Sequence, residues 1–362
     1  MNRSLVVIAT TLLLAACASK PLVPYTQDTP PLILAPASMA GIEDGRGRFR
    51  EITCAILESH GKELPHYREC EQAITRLGNE PPGTGEPVYL GQSKKNLVVA
   101  FVPGIGWECF ESWLKYENEF DSHVEEFGFQ AYIFSVDGMS GTTVNARMIR
   151  DAIMKNADEL QHQQLVLIGY SKGAPDLLEA VVTYPEIHRY IAAVVSVAGA
   201  VGGSPLANAA EEKDLGLLKH IPGSECTQGD GHAVESLRPA VRRQWLADNP
   251  LPDSIRYYSL VTYPEPDRIS SVLKSTHKKL SAVDSRNDSQ VIFYDQVIPG
   301  STLLGYLNAD HWAIAVPVAE AHPFIGRHFV DKNEYPRQAV AEAVLRYIEE
   351  DMEQEEHNEI KK

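Results

Sequence analysis

The sequence predicts a doubly wound α/β fold, in which a mostly parallel sheet is flanked by helices on both faces. Six short runs are apolar and rich in β-branched residues, and segments with the length and mixed polarity of helices separate them. Strands that are apolar on both faces are typical of a sheet buried on both sides, and helical crossovers make neighbouring strands parallel. The length of 362 residues fits one such domain with insertions.

The elements follow from this alternation. The strands are expected at 97–102, 131–136, 165–169, 191–197, 256–262 and 302–307. Helices are expected at 110–127, 145–160, 175–184, 236–246 and 342–348.

The segment between the fourth and fifth strands is too long for a simple crossover. We interpret it as a cap insertion at about 204–255, the alternative being an insertion far from the chemistry. The main domain would then cover residues 91–350, with a helical extension at 39–90 and an acidic C-terminal tail at 351–362.

A strand, a tight turn and a helix meet at residues 169–173, whose sequence is Gly-Tyr-Ser-Lys-Gly. The pattern G-x-S-x-G between a strand and a helix is typical of a nucleophile elbow, which raises the serine above the sheet. Gly169 and Gly173 are needed because a side chain at either position would clash with neighbouring backbone. The pattern also occurs by chance, but its position at the end of a buried strand predicts Ser171 as a nucleophile.

An acyl-transfer serine needs a base, and in this topology the base is a histidine after the last strand. His311 lies there, in the sequence Asn-Ala-Asp-His-Trp that follows strand 302–307. Its location is the argument, because any one of the twelve histidines could instead be a packing or surface residue.

Three aspartates compete to orient His311. Asp288, in a turn-rich stretch, is favoured over Asp295, which lies closer to the final strand, and over Asp267, which follows the preceding strand. Asp310 is set aside, because the chain would have to double back for its side chain to reach the adjacent histidine.

The oxyanion formed in acyl transfer needs backbone donors. The first strand ends in Pro-Gly-Ile-Gly at 103–106, and glycines there let N–H groups approach a substrate oxygen, although a plain tight turn is compatible. We expect the donors to be the N–H groups of Ile105 and Lys172, with Gly106 as the alternative to Ile105. The Lys172 side chain could attract an anionic substrate, but we interpret it as solvated at a helix start.

With the order Ser171, Asp, His311, the chain resembles a serine hydrolase of the α/β-hydrolase superfamily, on the lipase and esterase side. Residues 287–291, Asn-Asp-Ser-Gln-Val, are similar to the N-D-G-x-V acid loop of bacterial lipases. Asp310-His311 is similar to the pair that carries their histidine, and residues 198–204 resemble their small-residue loop after the next strand.

The resemblance covers about residues 96–348, and the chain departs from the lipase pattern at two positions. Ser289 replaces the usual glycine, and Pro103 stands where many lipases have histidine.

The expected activity is hydrolysis of carboxylic esters or thioesters through an acyl-enzyme, with no metal or organic cofactor. The expected substrate is an acyl ester, with lipid esters among the candidates. Two alternatives stay open. One is an acyltransferase that uses the same residues, and the other is a non-catalytic envelope-binding lipoprotein on the same scaffold.

The N-terminus has a basic start, a short apolar run and small residues, which are typical of a secretory signal over residues 1–16. Residues 14–17, Leu-Ala-Ala-Cys, resemble the bacterial lipobox, which implies lipidation of Cys17; an ordinary signal with a chance cysteine is the alternative. The proline-rich stretch 17–38 predicts an extended tether. Residues 18–19 lack the aspartate of inner-membrane lipoproteins, so we expect a lipid-anchored protein of the bacterial envelope, on the outer membrane facing the periplasm.

The composition argues against several partners. A net charge of −16 and the lack of a basic stripe argue against nucleic acid, and no zinc or P-loop motif occurs. Besides Cys17, four cysteines could pair in an exported protein. Cys54 with Cys70 is the most economical pair and would leave Cys109 with Cys226, whereas four buried thiols are the alternative. The oligomeric state is not indicated.

Overall fold

The computed structural model describes residues 41–110, 119–211, 225–226 and 228–361. The predicted signal at 1–16, the tether at 17–38 and Cys17 lie outside the described residues, as does part of the predicted cap. No helix among the described residues is long and apolar enough to cross a membrane.

Eight strands form one sheet, and the predicted fold class is confirmed. The strands are β1 (Glu43–Asp44), β2 (Ile74–Thr75), β3 (Leu97–Val102), β4 (Gln130–Ile133), β5 (Gln164–Tyr170), β6 (Ile191–Val197), β7 (Arg256–Thr262) and β8 (Thr302–Leu307). Their spatial order is β1-β8-β7-β6-β5-β3-β4, with β2 also on β8. Every pairing along this order is parallel, and β2 alone is antiparallel to its neighbour.

The helices lie between and after the strands. Within the described residues they are α1 (Arg46–Ser59), α2 (Cys70–Ala73), α3 (Glu119–Glu126), α4 (Thr142–Lys155), α5 (Gly173–Thr183), α6 (Leu206–Ala209), α7 (Pro239–Asp248), α8 (Lys274–Leu280), α9 (Val318–Ala321), α10 (Pro323–His328) and α11 (Arg337–Ile360).

The sheet has an apolar core on each face, because successive side chains of a strand point to opposite sides. On one face Val166 of β5 belongs to the same buried cluster as Leu345 of α11. On the other face its neighbour Leu167 belongs to a cluster with Ile149 of α4 and Leu178 of α5. This double burial explains why the central strands are apolar throughout.

The N-terminal region is built into the sheet. β1 and β2 both pair with β8, so the expected helical extension at 39–90 also contributes two strands. A disulfide between Cys54 of α1 and Cys70 of α2 has a Cα–Cα distance of 5.1 Å. Each of these strands has two residues, which is too short to leave a periodic pattern in the sequence.

The C-terminal helix is longer than the sequence indicated. α11 continues to Ile360 and includes nearly all of the acidic stretch expected as a tail at 351–362. Its acidic side chains pair with cations of the domain, since Glu350 meets Arg48 at 2.8 Å and Glu356 meets Lys95 at 2.6 Å.

The inserted segment at 204–255 packs on the loops at the carboxyl ends of the strands. The described parts are 204–211, 225–226 and 228–255, and they include α6 and α7. Leu237 accepts a backbone hydrogen bond from Ser204 at 2.9 Å. The second disulfide joins Cys109, after β3, to Cys226 of this segment. Both cysteine pairings considered from the sequence are therefore the ones observed.

Candidate active site

The turn after β5 holds Ser171 in a backbone conformation that L-residues rarely adopt, with φ at +53°. A Cβ on Gly169 would lie 2.6 Å from the backbone of Ala174, and one on Gly173 would lie 2.1 Å from the carbonyl oxygen of Val102. Both distances are far below van der Waals contact, so the two glycines allow the strand and helix to approach this closely. Ser171 is thereby presented at the carboxyl edge of the sheet.

A chain of two hydrogen bonds connects three of the predicted site residues. The Oγ of Ser171 lies 2.9 Å from Nε2 of His311, and Nδ1 of His311 lies 2.7 Å from Oδ2 of Asp288. An ionised carboxylate can only accept, so this contact puts the imidazole proton on Nδ1. Nε2 is then free to accept the proton of the serine hydroxyl.

The loop that follows β8 is held in place around the histidine. The backbone N–H of His311 donates to the carbonyl of Asp288 at 2.9 Å, and the hydroxyl of Tyr170 donates to the carbonyl of His311 at 2.8 Å. The rings of Tyr170 and His311 are also in contact, with centroids 5.1 Å apart. These contacts fix the imidazole before any ligand arrives.

The Asp288 carboxylate is fully buried and well supplied with donors. Oδ1 accepts from the backbone N–H groups of Gln290 at 2.9 Å and Val291 at 2.7 Å. Oδ2 also accepts from Thr262 Oγ1 at 2.6 Å and from Gln296 Nε2 at 3.2 Å. The sequence analysis did not identify Thr262 or Gln296. The available signals were a polar residue at the end of β7, which is Thr262, and a polar residue within an apolar stretch, which is Gln296.

The other two aspartate candidates lie elsewhere. Asp295 is buried against the loop after β6, where a Cβ on Gly202 would lie 2.4 Å from its Oδ1. Asp267 is exposed in a short 3-10 helix, Pro266–Arg268. Of the three candidates, the structure brings only Asp288 to the imidazole.

Asp310 organises the histidine loop without contacting the imidazole. Its Oδ2 accepts from the backbone N–H of Ser270 at 2.8 Å, and its Oδ1 accepts from that of Ala313 at 2.9 Å. Burial raises the pKa of the Asp310 carboxyl, the hydrogen bonds offset part of that rise, and the charge of Asp288 adds to it. Two buried carboxyl groups therefore lie beside His311, and only one orients its ring.

The loop after β3 lies directly over the serine. A Cβ on Gly104 would lie 2.9 Å from the Cβ of Ser171 and 3.3 Å from its Oγ. The N–H groups of Ile105 and Lys172 donate to no other described residue, whereas that of Gly106 donates to the carbonyl of Gly138 at 3.3 Å. The alternative donor, Gly106, is therefore already engaged.

The interpretation of the Lys172 side chain as solvated is wrong. It is 0 % exposed, and its Nζ lies 2.8 and 2.9 Å from the two carboxylate oxygens of Asp176. Asn145 donates to the same carboxylate at 2.7 Å. Burial raises the pKa of Asp176 to about 6, against the opposing effects of Lys172 and Asn145. The four-residue spacing of Lys and Asp at a helix start was the available signal.

An apolar cluster of the inserted segment borders this region. Val234 and Leu237 are buried together with Ala200, from the loop after β6, and Val291, from the loop that carries Asp288. Ile105, from the loop over the serine, packs against the same cluster. The described part of the insertion thus contacts three loops of the site.

The solved structures that are similar to this chain include an esterase and a lipase. The metagenomic carboxyl esterase MGS0156 is 40% identical, covers 89% of this chain and 97% of its own, and superposes with a TM-score of 0.82. The mature Bacillus licheniformis lipase BlEst2 is 21% identical, covers 67% of this chain and 95% of its own, and has a TM-score of 0.51, which shows a shared fold. No protein-family model and no curated protein sequence matches the chain.

An identity of 40% over nearly the whole length, together with the parallel sheet and its flanking helices, is decisive for the family. The chain belongs to the carboxyl esterases of the α/β-hydrolase family.

Proposed function

We propose that the protein hydrolyses carboxylic esters through a Ser171–His311–Asp288 triad and a covalent acyl-enzyme. The observation that carries the proposal is the continuous hydrogen-bond chain from Ser171 Oγ through both imidazole nitrogens to Asp288 Oδ2. A hydroxyl that donates to an unprotonated imidazole nitrogen, itself oriented by a carboxylate, is the arrangement that activates a serine.

In the acylation step Ser171 Oγ attacks the ester carbonyl and its proton passes to Nε2 of His311. The imidazolium forms beside the buried carboxylate of Asp288, which stabilises the charge without taking the proton. His311 then protonates the leaving alcohol, and the acyl group remains on Ser171.

The backbone N–H groups of Ile105 and Lys172 are our candidates for binding the oxyanion. Both are unengaged by other described residues, and the loop of Ile105 lies over the serine. A preorganised donor of this kind lowers the barrier by about 3 kcal/mol.

In the second step water attacks the acyl-enzyme, and His311 again takes and returns the proton. An acyltransferase would use an alcohol at this point. Incubation with a p-nitrophenyl ester, with and without added glycerol or a long-chain alcohol, followed by mass spectrometry of the products, distinguishes the free acid from a new ester. Free acid as the main product in the presence of the alcohol is expected.

The apolar cluster beside Ser171 supports an acyl substituent as the bound group. Ile105, Val234 and Leu237 belong to or pack against this cluster next to the loop over the serine. The acyl chain would gain about 25 cal/mol for each Å² of apolar surface that it buries there.

We also propose that the mature protein is anchored in the bacterial envelope by lipid on Cys17. The sequence support is the signal-like segment followed by Leu-Ala-Ala-Cys and a proline-rich stretch. Metabolic labelling with a palmitate analogue is expected to label the wild type and not Cys17→Ala. Fractionation is expected to recover the labelled protein in the outer membrane. A labelled Cys17→Ala would contradict this proposal.

The catalytic proposal is tested by labelling with a fluorophosphonate and mapping the adduct by mass spectrometry. A single adduct on Ser171 is expected, and it should be lost in His311→Ala. His232→Ala is the matched control, because His232 is an exposed histidine at 65% and should leave labelling unchanged. No adduct on folded wild-type protein, or an adduct on another serine, would overturn the proposal.

A further inference from the structure

Two histidines and a glutamate from three different helices meet on the face of the sheet that α1 and α11 cover. His60 caps the C-terminal end of α1, His123 belongs to α3 and Glu342 belongs to α11. The Nε2 atoms of His60 and His123 lie 2.8 and 2.9 Å from the same oxygen, Oε2 of Glu342. All three potential ligand atoms lie within 4.8 Å of one another.

These distances are close to those that a tetrahedral ion requires. Zinc binds imidazole nitrogen and carboxylate oxygen at about 2.0–2.2 Å, so two of its ligands lie roughly 3.3 Å apart. An ion would fit between the three atoms once each histidine–glutamate contact opens by about half an ångström and the two imidazole nitrogens, which lie within 4.8 Å of each other, are also about 3.3 Å apart. His60 remains 19% exposed at its side chain, which leaves a path for the ion and for a water as fourth ligand.

The surroundings orient the ligands as metal sites commonly do. The ring of Phe127 stacks on His60 and meets the edge of His123, each with centroids 5.4 Å apart. Arg346 donates to the other carboxylate oxygen, Oε1 of Glu342, at 2.7 Å. The arginine thus fixes the carboxylate and leaves Oε2 to the histidines, which is the kind of support that outer residues give to metal ligands.

Both imidazoles meet the same carboxylate oxygen of Glu342, at 2.8 and 2.9 Å. A divalent cation would use the same three atoms and give each its own bond.

We propose that His60, His123 and Glu342 form a binding site for one divalent transition-metal ion, with Zn²⁺ as the ion that suits two imidazoles and a carboxylate. Imidazole-rich sites favour zinc, copper and nickel over magnesium and calcium. In the sequence His123 and His60 lie 219 and 282 positions before Glu342, so no local motif could indicate the three ligands. The site is independent of the proposed ester chemistry.

The bound ion would join the N-terminal α1 to α3 and to the C-terminal α11. Because the unfolded chain cannot hold the three ligands together, binding would stabilise the folded state in proportion to its affinity. A structural role is therefore expected.

The test is metal binding by the full-length protein, stripped with a chelator and titrated with ZnCl₂ by calorimetry and with Co²⁺ by visible absorption. We expect one equivalent bound with a Kd on the order of 1 μM or tighter. Co²⁺ should give the absorption bands of a four-coordinate site, and saturating Zn²⁺ should raise the Tm by roughly 4 °C.

His60→Ala and His123→Asn should each weaken Zn²⁺ binding by about 100-fold. His66→Ala is the matched control, since His66 pairs with Glu320 at 2.6 Å outside this cluster, and it should bind as the wild type does. If His123→Asn fails to fold, His60→Ala still decides the question, because the His60 side chain is partly exposed. Folded wild type that binds no Zn²⁺ at about 100 μM, or binding unchanged in His60→Ala, would overturn the proposal.

Discussion

Ser171 and Lys172 are adjacent in the chain, yet their side chains enter two different buried polar networks. The serine hydroxyl faces the carboxyl edge of the sheet, where it meets His311 and, through it, Asp288. The lysine ammonium points back into the protein and is held by both oxygens of Asp176.

The two networks differ in where they end. The first ends at a hydroxyl that is 8 % exposed and can pass its proton to a neighbouring nitrogen. In the second, the Lys172 ammonium is bound by both carboxylate oxygens of Asp176. The same carboxylate also accepts a hydrogen bond from Asn145. Burial and charge are common to both, so a buried charged residue beside a nucleophile is not evidence of a catalytic role. The following predictions test this contrast, from the largest expected effect to the smallest.

Ser171→Ala removes the reacting atom and is expected to lower kcat for a p-nitrophenyl ester by roughly 10⁵- to 10⁶-fold. The Tm should change little, because one small hydroxyl is lost and the backbone turn is unchanged. Steady-state kinetics and thermal unfolding on the same preparation check both parts. A residual activity within about tenfold of the wild type would remove Ser171 from the mechanism.

Asp288→Asn should lower kcat by about 10⁴-fold, since an amide no longer holds the proton on Nδ1 of His311. Asp310→Asn is the matched control, because Asp310 is equally buried and adjacent to His311 but accepts its hydrogen bonds from Ser270 and from the loop that follows β8, and none from the imidazole. Its kcat should stay within about tenfold of the wild type. Equal losses in the two variants would mean that loop order, and not the carboxylate at Nδ1, controls the rate.

Lys172→Met should lower the free energy of unfolding by about 3 kcal/mol, because Asp176 loses its ion-pair partner inside the protein. The activity of the folded fraction should remain within a few-fold of the wild type, since the backbone N–H is retained. Lys172→Met combined with Asp176→Asn should recover part of the loss. Urea unfolding of the wild type, Lys172→Met, Asp176→Asn and the double variant measures the coupling, and a strictly additive result would contradict it.

The cost of Lys172→Met should grow as the pH rises. Burial already raises the pKa of Asp176 to about 6, above its ordinary value of 3.8, and removing the lysine raises it further. The folded state then keeps a proton that the unfolded chain releases, so stability is lost as the pH rises from about 4 through the folded pKa. The free energy of unfolding of Lys172→Met and of the wild type should be measured at pH 5 and pH 8. The two proteins should differ less at pH 5 than at pH 8.

Ser289→Gly should raise the free energy of unfolding by about 1 kcal/mol. Ser289 has a φ of +85°, a conformation that costs an L-residue about 1–2 kcal/mol and glycine much less. Ser289→Ala keeps the strain and serves as the control for loss of the buried hydroxyl, so Ser289→Gly should exceed it by about 1 kcal/mol. If both variants behave alike, the backbone at this position carries no such cost.

The sequence predicted the sheet well because burial on both faces leaves a continuous apolar run. β3, β6, β7 and β8 have the predicted bounds, and the edge strand β4 (Gln130–Ile133), which is partly exposed, is shorter than expected. β1 and β2 were not predicted, since two residues carry no pattern. The assignment to the α/β-hydrolase esterases, first suggested by the motifs, is confirmed by the similarity to a solved carboxyl esterase.

Around the site, local patterns were informative and long-range contacts were not. The turn-rich stretch drew attention to Asp288, and the structure brings that residue to His311. The burial of Lys172 depends on the packing around Asp176, which the sequence does not reveal. The departure from glycine at Ser289 is now accounted for, because the residue still adopts the backbone conformation that glycine favours.

The pairing of β1 with β8 shows at which edge of the sheet the first described strand lies. Glu43 lies beside Thr302, the first residue of β8, and the two strands run in the same direction. The chain therefore enters the domain at the amino edge of the sheet, and Ser171 lies beyond the opposite edge, about 20 Å away along strands of six or seven residues. A surface or partner that contacts the domain at the amino edge of the sheet would therefore lie on the side opposite the serine.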